Sequence, residues 1–186
     1  MIRMEREWLS SGEPEKMLPF LQGKASKRKI ALFRCAGIRR LWPLIAPKDR
    51  QALADSEQEA ETLTGLADRW DLWLPLIPII GGRLDLDRPY NGEGERWARS
   101  KLLRDIFGPL PFRPIVLDLA WLAWSDGTVR RLAQAIYDER AFERMPILAD
   151  ALEEAGCADA DILNHCRQPS EHVRGCWVVD LILGKS

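Results

Sequence analysis

The side chains of this chain that could carry out chemistry are concentrated near its C-terminal end. Both histidines and three of the four cysteines lie within twenty residues: Cys157, His165, Cys166, His172 and Cys176. Thiolate and imidazole are the ligands that bind zinc tightly and the groups that react near neutral pH. This segment is therefore the candidate for a metal site or a redox site.

The spacing of these residues admits a zinc site with four ligands. The last predicted helix would place His172 and Cys176, which are four residues apart, on the same face. His165 and Cys166 are adjacent and lie about 100° apart around a helix, so only one of them would join the site. Cys157 would supply the fourth ligand. Such a closed set is typical of structural zinc, which leaves no position open for water.

The same cluster has a simpler interpretation. Free cysteine is among the most buried residue types, and the sequence contains no C-x-x-C knuckle. The apolar neighbours Leu163, Trp177 and Val178 favour packed, metal-free cysteines. A redox pair, or a catalytic thiol with a histidine as its base, stays open. The sequence thus predicts either no cofactor or one structural zinc ion.

Apolar side chains recur at helical spacing through the N-terminal half of the chain. Ser26 is predicted to cap a helix that runs to about Ile45. Pro47 is predicted to open a second helix, in which apolar residues recur every three to four positions as far as Leu74. Two consecutive helices joined by a short turn are expected to pack as an antiparallel pair.

Charge is distributed unevenly between these two helices. Residues 24–50 carry nine basic and one acidic side chain, whereas residues 51–87 carry eight acidic and two basic ones. The opposite charges predict a basic helix paired with an acidic helix. A basic run of this density could instead contact nucleic-acid phosphates. The candidate residues for binding an anion or a nucleic acid are Lys27, Arg28, Arg34, Arg39, Arg40, Arg167 and Arg174.

The start of the last predicted helix could also bind a small anion. Arg167, His172 and Arg174 lie close to this end in the sequence. Cations and the free N–H groups of a helix N-terminus both favour negative charge. Solvated basic side chains are the simpler interpretation of the same three residues.

Glycine and proline interrupt the helical pattern in the middle of the chain. They predict a loop over residues 81–94, between an N-terminal helical subdomain (1–80) and a C-terminal helical subdomain (95–186) that carries the Cys/His cluster. Short helices are predicted at 93–107, 128–140, 147–155, 159–167 and 170–183, with Asp126 as the N-cap of the second and Asp159 as the N-cap of the fourth. The stretch IVLDLAWLAW predicts one short β element before a helical turn. The expected fold class is mainly α, a multi-helix domain of short helices.

Composition limits the class of protein. Of the 186 residues, 46% are hydrophobic and 30% are charged, and the net charge is −1. These values are typical of a globular protein and exclude a disordered or collagen-like chain. No apolar stretch has the length of a signal-peptide core or a membrane span. A cytoplasmic protein without a membrane partner is therefore expected, with cysteines that are not joined in disulfides.

Two segments carry a family resemblance. The first is EWLSSGEPEKMLPFLQGKASKRKIALFRCAGIRRLW, and the second runs from KLLRDIFGPLPFRP through LEEAGCADADILNHCRQPSEHVRGCWVVDLILGK. They resemble a family of small helical proteins of unknown function that is abundant in planctomycete-type bacteria. Relatives are richer in cysteine over the region matching Phe33 to Arg40, where this chain has only Cys35. The resemblance implies a helical fold and no particular activity, cofactor or partner.

Three functions are compatible with the sequence. The first hypothesis is a non-enzymatic helical interaction or accessory module whose partner is another protein. It follows from the lack of a catalytic constellation and from the content of eight tryptophans and many arginines. The alternative is a zinc-stapled nucleic-acid-binding protein that uses residues 24–50. The second alternative is a thiol-dependent or metal-dependent enzyme centred on the Cys/His cluster.

Overall fold

The protein is mainly helical, as the sequence predicts. The structure, a computed structural model, describes residues 3–67 and 93–185, and within them 69% of the chain is helical and no β-strand occurs. The α-helices of the described residues are α1 (Arg3–Ser10), α2 (Pro14–Met17), α3 (Lys27–Arg39), α4 (Pro47–Ala60), α5 (Glu93–Phe107), α6 (Leu119–Glu139), α7 (Met145–Glu154), α8 (Ala160–Arg167) and α9 (Trp177–Leu183).

The basic helix α3 begins where the sequence predicts and ends earlier. The Ser26 hydroxyl accepts a hydrogen bond from the Lys29 backbone N–H at 3.2 Å, which is the expected N-cap. The helix ends at Arg39 instead of continuing to about Ile45, and a 3-10 turn, Trp42–Leu44, follows. Pro43 lies inside that turn and has no N–H for a helical hydrogen bond, which explains the early end.

The acidic helix α4 begins at Pro47, as predicted, and is also shorter than expected. It ends at Ala60, and the chain turns through Gly65, whose φ is +83°. The Lys27 N–H then donates to the Gly65 carbonyl at 3.0 Å, and the Ala67 N–H donates to the Ala25 carbonyl at 2.8 Å. The segment that follows α4 therefore lies beside the start of α3. Residues 61–67 of the predicted continuation to Leu74 form turns and irregular backbone instead of helix, and residues 68–74 lie outside the described residues.

The predicted β element is not a strand. Residues Ile115 to Leu117 belong to no regular element, and in the described chain only the isolated bridge between Ser26 and Leu66 has β pairing. Asp118, not Asp126, caps the helix that follows, with its carboxylate accepting from the Ala120 N–H at 2.8 Å. Residues 124–127 interrupt α6, and Asp126 has a φ of +55°, whereas an N-cap residue is extended.

The last three helices follow the predicted boundaries except at one point. Asp159 caps α8 by accepting from two backbone N–H groups, and Gly156, at φ +94°, follows α7. The final helix begins at Trp177, not near Ser170. Gly175, at φ +92°, produces a tight turn before it, and this backbone conformation is incompatible with a right-handed helix.

The buried side chains form three apolar clusters. The largest joins α6, α7, α8 and α9. A second cluster contains Trp8, Met17 and Phe33 together with Leu103 and Ile106 of α5. This second cluster therefore contains residues from both predicted subdomains. Residues 81–92 of the loop predicted between the subdomains lie outside the described residues. The last two residues of that loop, 93 and 94, belong to α5.

Among the described helices, none combines the length and the apolar composition needed to cross a bilayer.

Candidate metal centre

Four side chains with ligand chemistry converge between α5, α8 and the segment before α9. They are Asp105, His165, His172 and Cys176, and one ligand atom from each lies within 4.8 Å of the others. The centre is enclosed by protein: Asp105 and Cys176 are about 1% and 0% exposed, and His165 is 9% exposed. A buried group of this composition could hold a metal ion.

Asp105 is the residue that links the centre together. Its Oδ1 lies 2.6 Å from His172 Nδ1 and 3.2 Å from His165 Nε2. Its Oδ2 accepts a hydrogen bond from the Val173 backbone N–H at 3.0 Å. One carboxylate oxygen therefore faces the imidazoles, while the other fixes the chain next to His172. With Oδ2 held by the Val173 N–H, the Asp105 carboxylate is suited to bind a metal ion through Oδ1 alone.

His165 reaches the centre from the last turn of α8. Its Nε2 lies 3.2 Å from the Cys176 sulfur, and the Gln168 amide lies 3.0 Å from its Nδ1. The ring also packs against the Trp177 ring, with centroids 5.2 Å apart. A partner on the second ring nitrogen fixes the orientation of a metal-ligating histidine. The Gln168 side chain occupies this position, and its carbonyl oxygen can accept from Nδ1–H after a 180° rotation of the amide.

The tight turn before α9 delivers the other two ligands. His172 lies in irregular backbone, and the Cys176 N–H donates to the Val173 carbonyl at 2.9 Å. Cys176 occupies the N-cap position of α9. The two side chains thus meet through the turn at Gly175, and not because they share a helical face as the sequence predicts.

Burial and mutual hydrogen bonding shift the acidity of these groups. Burial alone would raise the pKa of the Asp105 carboxyl, but hydrogen bonds from His165 and His172 outweigh it, and the pKa is lowered. Burial lowers the pKa of His165, against the hydrogen bond and the charge of Asp105, which raise it. Burial, together with the Asp105 charge, raises the pKa of the Cys176 thiol well above its ordinary value. The backbone N–H groups of Val178 and Val179 partly oppose this shift.

The four groups could hold a metal ion, and their ligand atoms are unevenly spaced: His172 Nδ1 and Asp105 Oδ1 lie 2.6 Å apart, and all four atoms lie within 4.8 Å of one another. Tetrahedral coordination with ligand distances of about 2.0–2.3 Å places neighbouring ligand atoms roughly 3.3–3.6 Å apart. The 3.2 Å separations of His165 Nε2 from Asp105 Oδ1 and from Cys176 Sγ are close to this spacing. One carboxylate and one metal-bound thiolate would neutralise a divalent cation. Two neutral imidazoles would complete the set.

The structure brings together three of the five predicted metal ligands. His165, His172 and Cys176 belong to the centre, whereas Cys157 and Cys166 are not among its four converging side chains. Both of these cysteines are buried in the apolar cluster of α6 to α9. Burial raises the pKa of both thiols, that of Cys166 to about 12. Their surroundings are those of packed core cysteines.

The predicted anion-binding residues do not form one surface. Arg28 is buried and bonds to Asp180 at 2.8 Å, and Arg39 and Arg40 pair with Glu57 and Glu95. Arg167 pairs with Asp150 and Glu153 on the exposed side of α8. Lys27 is exposed, Arg34 is half-buried, and Arg174 stacks on the Tyr137 ring with 5.2 Å to its centroid. Four of the nine basic residues of 24–50, namely Arg28, Lys29, Arg39 and Arg40, are therefore paired with carboxylates of the same chain.

Asp105 is the ligand that sequence reasoning did not identify. It lies in the stretch LLRDIF, where Leu102, Leu103 and Ile106 are buried. An acidic residue next to such an apolar helix face is rare, because burying a carboxylate is costly unless it has partners. The position of Asp105 beside apolar residues is visible in the sequence. Its partners, His165 and His172, lie more than fifty residues further along the chain, so the sequence does not show that they meet.

Comparisons of this chain with known protein families, with curated proteins and with solved structures find no match. They do not bear on the resemblance to the planctomycete-type family, and the function is therefore inferred from the geometry of the site alone.

Proposed function

We propose that this protein is a non-enzymatic helical module whose C-terminal half is held together by one structural zinc ion. Asp105, His165, His172 and Cys176 would bind the ion. The observation that supports the proposal is their convergence within 4.8 Å in a buried position, from three separate segments of the chain. The partner of the module is expected to be another protein, which stays a prediction.

A structural role is favoured over a catalytic one because the four converging side chains would fill all four positions of a tetrahedral site. A catalytic zinc ion keeps one position for water or substrate, whereas a structural zinc ion does not. The ion would join α5, α8 and the turn before α9, which without it are held by packing and by the hydrogen bonds of Asp105. Metal binding would therefore contribute directly to the free energy of folding.

The two alternative functions receive less support. A thiol enzyme needs a cysteine with a lowered pKa, but burial raises the pKa of Cys35 and of Cys166 to about 12. A nucleic-acid interface needs free positive charge on one surface. Arg28, Arg39 and Arg40 instead form ion pairs with carboxylates of the same chain.

Metal content tests the proposal directly. Protein purified without chelator and dialysed should contain about one zinc ion per chain by elemental analysis. Zinc at 100 times its dissociation constant should raise the free energy of unfolding by about 2.7 kcal/mol. The cobalt-substituted protein should show a thiolate-to-cobalt charge-transfer band.

Two cysteine variants provide a matched comparison. Cys176→Ala should lose zinc and the cobalt charge-transfer band, whereas Cys166→Ala should retain both. Both side chains are 0% exposed, so the two substitutions remove equally buried thiols. Wild-type protein that neither contains nor takes up zinc would contradict the proposal. So would an equal loss of zinc in the two variants.

A further inference from the structure

A cavity of about 560 Å³ lies between α1, α5 and α8. Sites for drug-sized ligands occupy about 300–1,000 Å³, so this volume is suited to a small organic molecule. His165 is the one ligand of the proposed metal centre that lines the cavity, and the zinc ion would use no other lining side chain. The cavity is therefore a separate feature of the fold, and nothing in the proposed function occupies it.

Part of the cavity wall is apolar and open to solvent. Trp97 of α5 is 50% exposed, and Leu9 of α1 is 45% exposed. Gly12 packs so closely against the Trp97 indole that an added Cβ would lie 2.9 Å from Nε1, which fixes the ring. Burial of apolar surface is favourable, so a ligand with an apolar body would be stabilised against Trp97 and Leu9.

The carboxylates of the cavity lining are already paired. Arg113 donates to Glu5 at 2.9 Å and to Asp161 at 2.6 Å, so one guanidinium group bridges both acids. Glu5 is also buried. The two acids are therefore engaged with Arg113 and are not free to bind a cationic ligand.

Two cations of α5 line the same cavity and have no carboxylate partner in the described chain. Arg104 donates to two backbone carbonyls near the end of α1, and burial lowers its pKa without an acid to oppose the shift. The Lys101 ammonium group contacts only the Trp97 ring, with 6.0 Å to its centroid. Besides His165, the lining thus contains three cations and two carboxylates, a net charge of +1.

Three polar side chains of the lining can reach a ligand. Lys101 and Asn164 are exposed, and Ser170 is half-buried. None of these side chains forms a hydrogen bond with the described residues, and their polar atoms are not closed off from solvent. They lie on α5, on α8 and in the segment after α8. A few polar groups of this kind orient a ligand in a largely apolar site.

We infer that this cavity binds a small organic monocarboxylate with an apolar body. The body would lie against Trp97 and Leu9, the carboxylate would pair with Lys101, and Asn164 and Ser170 would orient the ligand by hydrogen bonds. Because Lys101 lies beside the Trp97 ring, the charge and the apolar body of the ligand must be adjacent. One negative charge neutralises the lining, whereas the charge of a phosphate monoester would exceed it. The inference goes beyond the proposed function, since it requires neither zinc nor a protein partner.

Calorimetric titration of the protein with 2-naphthoate tests the inference. One naphthoate should bind saturably. Acetate lacks the apolar body and 2-naphthalenemethanol lacks the charge, so each should bind about tenfold more weakly, which corresponds to about 1.4 kcal/mol. Lys101→Gln should weaken naphthoate binding by a similar factor. Lys27→Gln is the matched control, because Lys27 is exposed and lies outside the lining, and it should change the affinity less than about twofold.

A measurement on the unmodified protein keeps the test independent of folding. In ¹H–¹⁵N spectra the indole N–H of Trp97 should shift as naphthoate is added, whereas that of Trp42, which packs against a different apolar cluster, should not. Absence of saturable binding would overturn the inference. So would equal affinity for naphthoate and naphthalenemethanol, or equal weakening in Lys101→Gln and Lys27→Gln. Zinc analysis of the same samples distinguishes a failure of this inference from a failure of the proposed metal centre.

Discussion

Glu57 shows how a single buried charge is stabilised in this fold. Its side chain is 3% exposed, and Arg39 and Arg140 both donate to its carboxylate, with 2.6 Å between Arg39 Nη2 and Oε2. Burial would raise the pKa of Glu57, but these two hydrogen-bonded arginines outweigh burial and hold it below the ordinary value. The carboxylate therefore stabilises the folded state in its charged form.

Replacing this carboxylate should lower stability in a way that depends on pH. A group whose pKa is depressed by folding contributes stability above its unfolded pKa, and that contribution is lost as pH falls through the folded pKa. Glu57→Gln should therefore cost about 2 kcal/mol at pH 7 and progressively less below about pH 4. Urea denaturation at a series of pH values measures the difference.

An exposed glutamate provides the comparison for Glu57. The side chain of Glu143 is 76% exposed, so Glu143→Gln should leave stability nearly unchanged at every pH. A Glu57→Gln variant with the same deficit at pH 3 as at pH 7 would contradict the role of charge. Such a result would point to lost packing instead.

At the scale of elements, the end of α5 and the start of α9 approach each other very closely. Gly108 follows α5 with a φ of +52°, and a Cβ placed on it would lie 2.6 Å from atoms of the Trp177 ring. No real Cβ makes so close a contact without displacement of its neighbour. Glycine at this position therefore lets α9, and with it Cys176, approach the helix that carries Asp105.

Gly108→Ala should be one of the more damaging small substitutions in the chain. Steric overlap with Trp177 and the unfavourable positive φ should together cost about 3 kcal/mol. Gly23→Ala isolates the second effect, because Gly23 has a φ of +69° and a Cβ added to it would have no neighbour within 4 Å. It should cost only about 1 kcal/mol. Thermal unfolding of the two variants separates the steric contribution from the backbone contribution. Equal losses of stability in the two variants would contradict the steric overlap with Trp177.

At the scale of the whole molecule, buried polar contacts join distant parts of the chain. Arg28 of α3 bonds to Asp180 of α9 at 2.8 Å and to the Tyr137 hydroxyl of α6 at 2.7 Å. Lys29 donates to the Ile106 carbonyl of α5 at 2.7 Å. Separation of α3 from the C-terminal helices would leave Asp180 buried without its main cation, which is costly.

We therefore expect the protein to unfold in one cooperative step. Calorimetry should show a single transition whose calorimetric and van't Hoff enthalpies agree, at about 130 kcal/mol for a chain of this length. Two resolved transitions would instead favour the two subdomains that the sequence predicts. Asp180→Asn should lower the midpoint without splitting the transition.

Local signals in the sequence predict the helices and several of their ends. These signals are the helical spacing of apolar residues, the Ser26 and Asp159 caps and the proline at the start of α4. Each acts within a few residues of the chain, so it can be recognised in the sequence without a structure. The predicted end of α3 and the predicted start of α9 are wrong because a proline turn and the turn at Gly175 compete with that periodicity.

The sequence by itself determined that the chain is helical and that its ligand-type side chains are few and close together. Only the tertiary structure decided which of them meet. Asp105 joins the centre in place of Cys157 and Cys166 because packing of α5 against the turn before α9 places its carboxylate there. Helical periodicity describes one face of one helix, whereas a metal centre depends on the relative positions of three segments. Those positions are set by the packing of the whole core.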